Sequence, residues 1–256
     1  MSYETEAQSG GWKKVLLWGL VLIGGPLLIL GALGAFIAMT GTPEQQFDRM
    51  AENDPTVKPM LQAMRTLYPE EYTAFRTALV PLLDRKPDEM AIRSESARFM
   101  RGFNERHRYE VAEAPERELK AFFDAQLRLF EAASKQSAST CGAIAQGRVT
   151  PPGPNDKDLA PLLGLLSQRY IEAAGAGHDK PTKRRAPALA EQQQLGLALQ
   201  HTGLRPAVRA RMQANTPPTL YSDDDMCNAT LSVLQAIRTL PLETGLRIAA
   251  EIVRTS

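Results

Sequence analysis

Hydrophobic and polar positions fall into two regimes along this chain. From Val15 to Met39, 25 residues carry no charge and no Asn, Gln, Ser, Thr or His. As a helix rising ~1.5 Å per residue, that run is ~37 Å long, enough to cross a ~30 Å hydrocarbon core with some tilt. From Pro43 to Ser256 the apolar residues instead recur every three or four positions, with charged residues between them. That period belongs to amphipathic helices packed on one another.

The second regime predicts helix after helix. Phe47 and Met50 follow Pro43; Met60, Leu61, Met64 and Leu67 form the next stripe. Pro69-Glu70-Glu71 and Pro87-Asp88-Glu89 are helix starts, since Pro suits the first position and acids suit the positive end of the helix. Their stripes are Tyr72, Phe75, Leu79 and Leu82, then Ile92, Phe99, Met100 and Phe103. Pro115-Glu116 opens the clearest one: Leu119, Phe122, Phe123, Leu127, Phe130 and Ala133, with Cys141 on the same face if the helix continues. Thr150–Asp158 and Gly175–Pro187 read as loops, separated by a helix over 159–174. Helices near 188–201 and 205–214 follow. Ser222 with Asp223–Asp225 is a helix cap, continued by Cys227, Leu231, Leu234 and Ile237. A last helix carries Leu246, Ile248, Ala249 and Ile252. No alternation of period two and no hairpin turn signal interrupts the pattern, so the expected fold is all-α, an irregular bundle of eight to ten helices.

The flanks of the apolar run decide its meaning. Lys13 and Lys14 precede it, and Trp12 and Trp18 are the chain's two tryptophans. Basic and aromatic residues at one edge are expected of a membrane anchor. A cleaved signal peptide has a shorter apolar region of ~7–15 residues, and Ala32-Leu33-Gly34 is a weak cleavage site. The expected organisation is a cytoplasmic tail (1–14), a single transmembrane helix (15–39) and an exported domain (43–256). Arg49 is the one basic residue in the fifteen that follow the span, so the positive-inside bias orients the N-terminus to the cytoplasm. A compact anchor of this kind fits a bacterial inner membrane, with the C-terminal domain periplasmic.

Composition narrows the partners. Of 30 Lys and Arg and 29 Asp and Glu, only Lys13, Lys14, Glu4 and Glu6 precede Pro43, which leaves the domain near neutral. Nucleic-acid binding needs a basic face and is not expected. The expected partners are the bilayer, through residues 15–39, and a protein. Cys141 and Cys227, the two cysteines of the chain, both fall in the exported part and are expected to pair as a disulfide. The closed loop would contribute ~4 kcal/mol at most in the chain-entropy treatment.

Candidate chemistry is sparse. His107, His178 and His201 are the three histidines. His107 has Glu110 three residues on, sharing a helical face, but lacks the further ligands a metal site needs. No nucleophile-elbow, zinc-protease or phosphate-loop signature occurs. No cofactor and no metal are expected. Lys180, Lys183, Arg184 and Arg185 form the sharpest charge run, a candidate contact for an anionic surface. Asp223–Asp225 do not follow a calcium-loop spacing. Asn228-Ala229-Thr230 is a glycosylation sequon inside an expected helix. The reading that results is a membrane-anchored, non-enzymatic interaction or assembly component. The alternative is an enzyme or small-ligand binder with a pocket between helices.

Overall fold

The computed structural model describes residues 41–54, 57–83, 89–148 and 156–255. The expected tail and the 15–39 span lie outside the described residues. Among the described residues no helix is long and apolar enough to cross a membrane.

Eleven α-helices and two short 3-10 turns, and no strand, make up the described residues. They are α1 (Pro43–Asn53), α2 (Lys58–Leu67), α3 (Pro69–Leu79), α4 (Glu89–Ala112), α5 (Glu116–Gln136), α6 (Ala138–Ala145), α7 (Asp156–Asp179), α8 (Leu189–Leu199), α9 (Pro206–Gln213), α10 (Asp223–Thr239) and α11 (Leu242–Thr255). Helices start at Pro69 and Glu116 as expected, while Pro87 and Asp88 of the other expected start lie outside the described residues. Thr42 caps α1 in a reciprocal box with Gln45, at 3.4 and 3.2 Å. Ser222 Oγ accepts the Asp225 N–H at 3.1 Å at the head of α10. Each cap satisfies amide donors that have no partner inside the helix.

Helix α7 lies at the centre of one half of the packing, against α2, α4 and α5. Helix α10 organises the other half, against α5, α6, α8 and α11, and α11 reaches back to α4. One apolar core runs through both halves, from Phe47 to Val253. Phe103, Phe122 and Tyr170 meet edge to face in it, Tyr170 standing 6.3 Å from Phe103 and 5.4 Å from Phe122.

Two boundaries differ from expectation. The α5 helix stops at Ser137, whose backbone is extended and whose Oγ accepts the Thr140 N–H at 3.0 Å. Cys141 therefore sits on a new helix, α6, yet remains fully buried. The second difference is larger. Gly175 to Asp179 were expected in a loop, and Asp156 to Asp158 in another; all belong to α7. Gly175 and Gly177 do not break the helix because they are where other segments come closest. A methyl group on Gly175 would meet the Leu67 side chain at 3.0 Å, and one on Gly177 would meet the Glu110 carbonyl oxygen. Tertiary contact overrides the weak helix propensity of glycine.

Candidate functional site

Four places in the fold collect the chemistry. The first is the junction of α6 and α10. Cys141 and Cys227 are bonded there, with Sγ–Sγ 1.96 Å and Cα–Cα 5.2 Å. Beside the bond, a methyl group on Gly142 would stand 2.3 Å from the Asp223 backbone, so the two helices touch directly. The neighbouring acids are matched by arginines. Arg148 pairs with Asp223, Arg205 with Asp224 and Asp225, and Arg211 with Asp225 at 2.7 Å. These carboxylates hold α9 and the end of α6 onto the head of α10. Among the described residues no group of three or more His, Cys, Asp or Glu is arranged to hold a metal ion. Asn228 is likewise engaged, accepting the Arg205 N–H at 3.0 Å and donating to the Gly203 carbonyl at 3.2 Å. Thr230 of the sequon is fully buried.

The second place is the extended segment after α7, which carries Lys180, Lys183, Arg184 and Arg185. It is tied down. The Thr182 N–H donates to the Glu113 carbonyl at 2.6 Å. Arg184 Nη1 donates to the Ala112 carbonyl at 3.1 Å, and burial lowers the proton affinity of its guanidinium. Arg185 forks onto the Glu191 carboxylate at 2.7 and 3.1 Å, and Arg247 grips the same carboxylate at 2.8 Å. Burial opposes ionisation of Glu191, but the Ala188 amide and the two arginines outweigh it and hold its carboxyl below the ordinary range. Lys180 and Lys183 are exposed and make no ion pair among the described residues. Two of the four expected contact residues thus serve the fold, and two are presented to solvent. A cleft of about 430 Å³ runs beside them, walled by Glu116, Lys183, Arg184, Arg185, Glu243 and Arg247.

The third place centres on Glu110. Its Oε2 accepts the Tyr68 hydroxyl at 2.9 Å and lies 2.6 Å from His107 Nδ1. Its Oε1 lies 3.1 Å from His178 Nδ1. The other nitrogen of His107, Nε2, is buried without a hydrogen bond and faces Glu71 Oε1 at 3.6 Å. Glu71 in turn accepts two hydrogen bonds from Arg106, at 2.9 and 2.8 Å. The His107 ring packs against both Phe103 and Tyr68, with centroids at 4.3 and 4.5 Å. Burial works against a charged Glu110; the bonds from His107, Tyr68 and His178 together overcome it and hold its carboxyl below the usual value of 4.5. Burial, followed by the Glu110 bond, pushes the Tyr68 phenol far up.

The spacing of His107 and Glu110 marked one edge of this cluster. Tyr68, Glu71 and His178 escaped sequence reasoning. His178 was assigned to a loop, and only the continuation of α7 through its glycines turns that ring toward α4.

The fourth place is an apolar groove where α5, α10 and α11 meet. Phe123, Leu127, Leu234, Ile237, Leu242 and Leu246 form its walls. Its rim carries Lys120 and Asp124, paired at 2.6 Å, and the exposed Arg238. Its cavity is about 80 Å³. Pockets that enclose a drug-sized ligand hold about 300–1,000 Å³, so this one has room for a single side chain.

Comparison of the chain with protein-family models, with curated proteins and with solved structures finds no match.

Proposed function

We propose that this protein is a membrane-anchored interaction component. Residues 15–39 hold it in a bacterial inner membrane as a single-pass anchor with the N-terminus in the cytoplasm. The 43–256 domain works by contact on the periplasmic side. The observation that carries the contact reading is the groove between α5, α10 and α11. It is lined by leucines and a phenylalanine, it is open to solvent, and its size suits one apolar knob. Arg238 at its rim favours a partner segment with an acidic residue beside that knob. Anchoring raises the effective concentration of the domain at the membrane, so a small interface suffices. The disulfide that joins α6 and α10 suits an oxidising compartment.

The full chain, extracted in mild detergent, provides the test. Leu242 is 48% exposed on the groove wall, so Leu242→Glu leaves stability within about 0.5 kcal/mol. It abolishes recovery of the partner that co-purifies with the wild-type chain. Unchanged recovery with both Leu242→Glu and Arg238→Glu overturns the contact reading. Topology is read independently by alkaline phosphatase fused after Ser256, which is active only if the C-terminus is exported.

The charged clefts support a second reading, a small-ligand site between helices. The cleft beside the basic segment and a second one walled by Arg117, Glu118, Arg169, Glu172 and Asp179 reach about 430 and 390 Å³, which is ligand-sized. Against it, Arg169 already pairs with Glu172, and Arg185 and Arg247 with Glu191. A polar metabolite that raises the unfolding midpoint of the chain, and fails to do so in Lys183→Ser, would establish this reading instead.

A further inference from the structure

We propose that the cleft beside the basic segment binds a small monocarboxylic acid, whose carboxylate docks on the free edge of the Arg184 guanidinium. The proposal rests on the small-ligand reading of this cleft and is independent of the groove between α5, α10 and α11.

Hydrogen-bond accounting at Arg184 carries the argument. A guanidinium holds five N–H donors in one rigid plane, and two of its edges present a pair of parallel donors. Arg184 commits one nitrogen to the fold. Its Nη1 donates to the Ala112 carbonyl at 3.1 Å and to the Thr182 carbonyl at 3.4 Å. Nε and Nη2 make no hydrogen bond among the described residues, and no carboxylate there pairs with the group. Those two nitrogens form the side edge of the guanidinium. Elsewhere in the fold the same edge grips a carboxylate with both donors: Arg76 holds Asp48 at 3.2 and 3.2 Å, and Arg106 holds Glu71 at 2.9 and 2.8 Å. Arg184 leaves it without a protein partner, on the wall of a cleft.

The anchoring of Nη1 matters for binding. A carbonyl at the end of α4 fixes the plane of the group before a ligand arrives, so little side-chain freedom is lost on binding. Arg184 is half-buried, and burial lowers its proton affinity. A cation already stripped of part of its water attracts an anion more strongly than one in open solvent.

The neighbouring arginines are occupied. Arg185 and Arg247 are taken up by Glu191, and Arg247 also by Glu243. Arg254, which acts on Arg184 through space, pairs with Glu251. Lys183, exposed and with no ion pair among the described residues, shares the wall with Arg184, as does Thr182.

Charge and space set the class of ligand. Glu116 and Glu243 on the walls, and Glu113 more weakly, act on Arg184 through space without pairing with it. They oppose a dianion such as phosphate more than a monoanion, and the flat edge of a guanidinium matches a planar carboxylate. The cleft of about 430 Å³ has room for a small molecule and not only for a lone ion. Leu246 is the apolar member of its lining and accepts a short carbon chain behind the carboxylate.

Saturation-transfer NMR of butanoate with the full chain in neutral detergent, at fixed ionic strength, tests this. Butanamide, which has the same shape and no charge, and inorganic phosphate enter as competitors. Butanoate is expected to bind with a Kd of about 1 mM, and both competitors at least about tenfold more weakly. Arg184→Gln is expected to raise the Kd about tenfold, and Arg184→Lys, which keeps the charge and loses the fork, nearly as much. Arg117→Gln, on the wall of the other charged cleft, leaves it unchanged. If neither Arg184 variant folds by circular dichroism, Lys183→Ser serves in their place and raises the Kd about threefold. Absence of butanoate binding overturns the proposal. So does wild-type binding retained in Arg184→Gln, or in Lys183→Ser where that variant is used. Butanamide or phosphate competing as well as butanoate binds overturns the carboxylate. The small-ligand reading is struck separately, when no polar metabolite raises the unfolding midpoint of the chain.

Discussion

Gly177 meets Glu110 backbone to backbone: a methyl group on the glycine would stand 1.8 Å from the Glu110 carbonyl oxygen. Helices α4 and α7 are thus at their closest beside the cluster of His107, His178 and Tyr68. The approach needs a residue with no side chain, and the rings around it depend on that approach.

Gly177→Ala is therefore expected to destabilise the domain by about 3 kcal/mol, the upper end of ordinary overpacking, because a backbone carbonyl cannot rotate away. Gly175→Ala is the control. Its new methyl group meets the end of the Leu67 side chain, which is 38% exposed and free to move. The helix-propensity gain of about 1 kcal/mol offsets that adjustment, and stability stays within about 0.5 kcal/mol. Urea unfolding of the two variants separates them.

Reducing the Cys141–Cys227 bond is expected to lower stability by about 4 kcal/mol, since the bond closes a long loop in the unfolded chain. Unfolding midpoints with and without reductant measure the difference. Mass spectrometry of unreduced protein from an oxidising compartment should show the linked peptides, and two freely alkylated thiols would rule the pairing out.

The basic segment should divide into two classes. Lys180→Ser and Lys183→Ser leave stability within about 0.5 kcal/mol, as expected for exposed side chains that make no ion pair among the described residues. Arg185→Ser costs about 1–3 kcal/mol, because it takes one of two arginines from the buried Glu191 carboxylate. Arg184→Ser falls between, losing a bond to a backbone carbonyl. Thermal or urea unfolding of the four single variants reads this order directly.

Glu110 predicts a pH signature at the acid end. Its carboxyl titrates lower in the folded chain than the ordinary 4.5, so its stabilisation is complete above that value and is lost as the pH falls through the folded one. Glu110→Gln should cost about 1–2 kcal/mol at neutral pH. The gap between wild type and variant should narrow below about pH 4.5 and close further down. A gap that stays constant through the acid range would assign the cost to packing.

Helix positions were legible in the sequence wherever proline, an acidic first turn and an apolar stripe coincided. The starts of α1, α3 and α5 rest on such local chemistry, that of α10 on the Ser222 cap ahead of three acids, and local chemistry is written in neighbouring residues. The end of α7 was not legible, because Gly175, Gly177 and the following charged run imitate a loop. What keeps them helical is the Glu110 carbonyl and Leu67, both more than sixty residues away in the chain. The same distance hid the Glu110 cluster, built from residues 68, 71, 107, 110 and 178. Arg184 and Arg185 looked like free surface charge because Ala112, Glu191 and Arg247 come to them only in the folded domain. The groove was invisible for another reason: Leu127, Leu234 and Leu246 each read as core, and no periodicity reports where three helices leave a gap.

The cystine encloses the chain between residues 141 and 227, 86 positions apart, and so makes a covalent ring of α7, α8, α9 and their connections. A protease that cuts this ring once releases nothing. Nicked anywhere from Gly142 to Met226, the molecule keeps both new ends on one body, and the fragments part only when the sulfur bond is broken. In a compartment rich in proteases and poor in reductants, damage to the exposed loops would therefore be survivable. A nicked copy would migrate as an intact one until thiols are added.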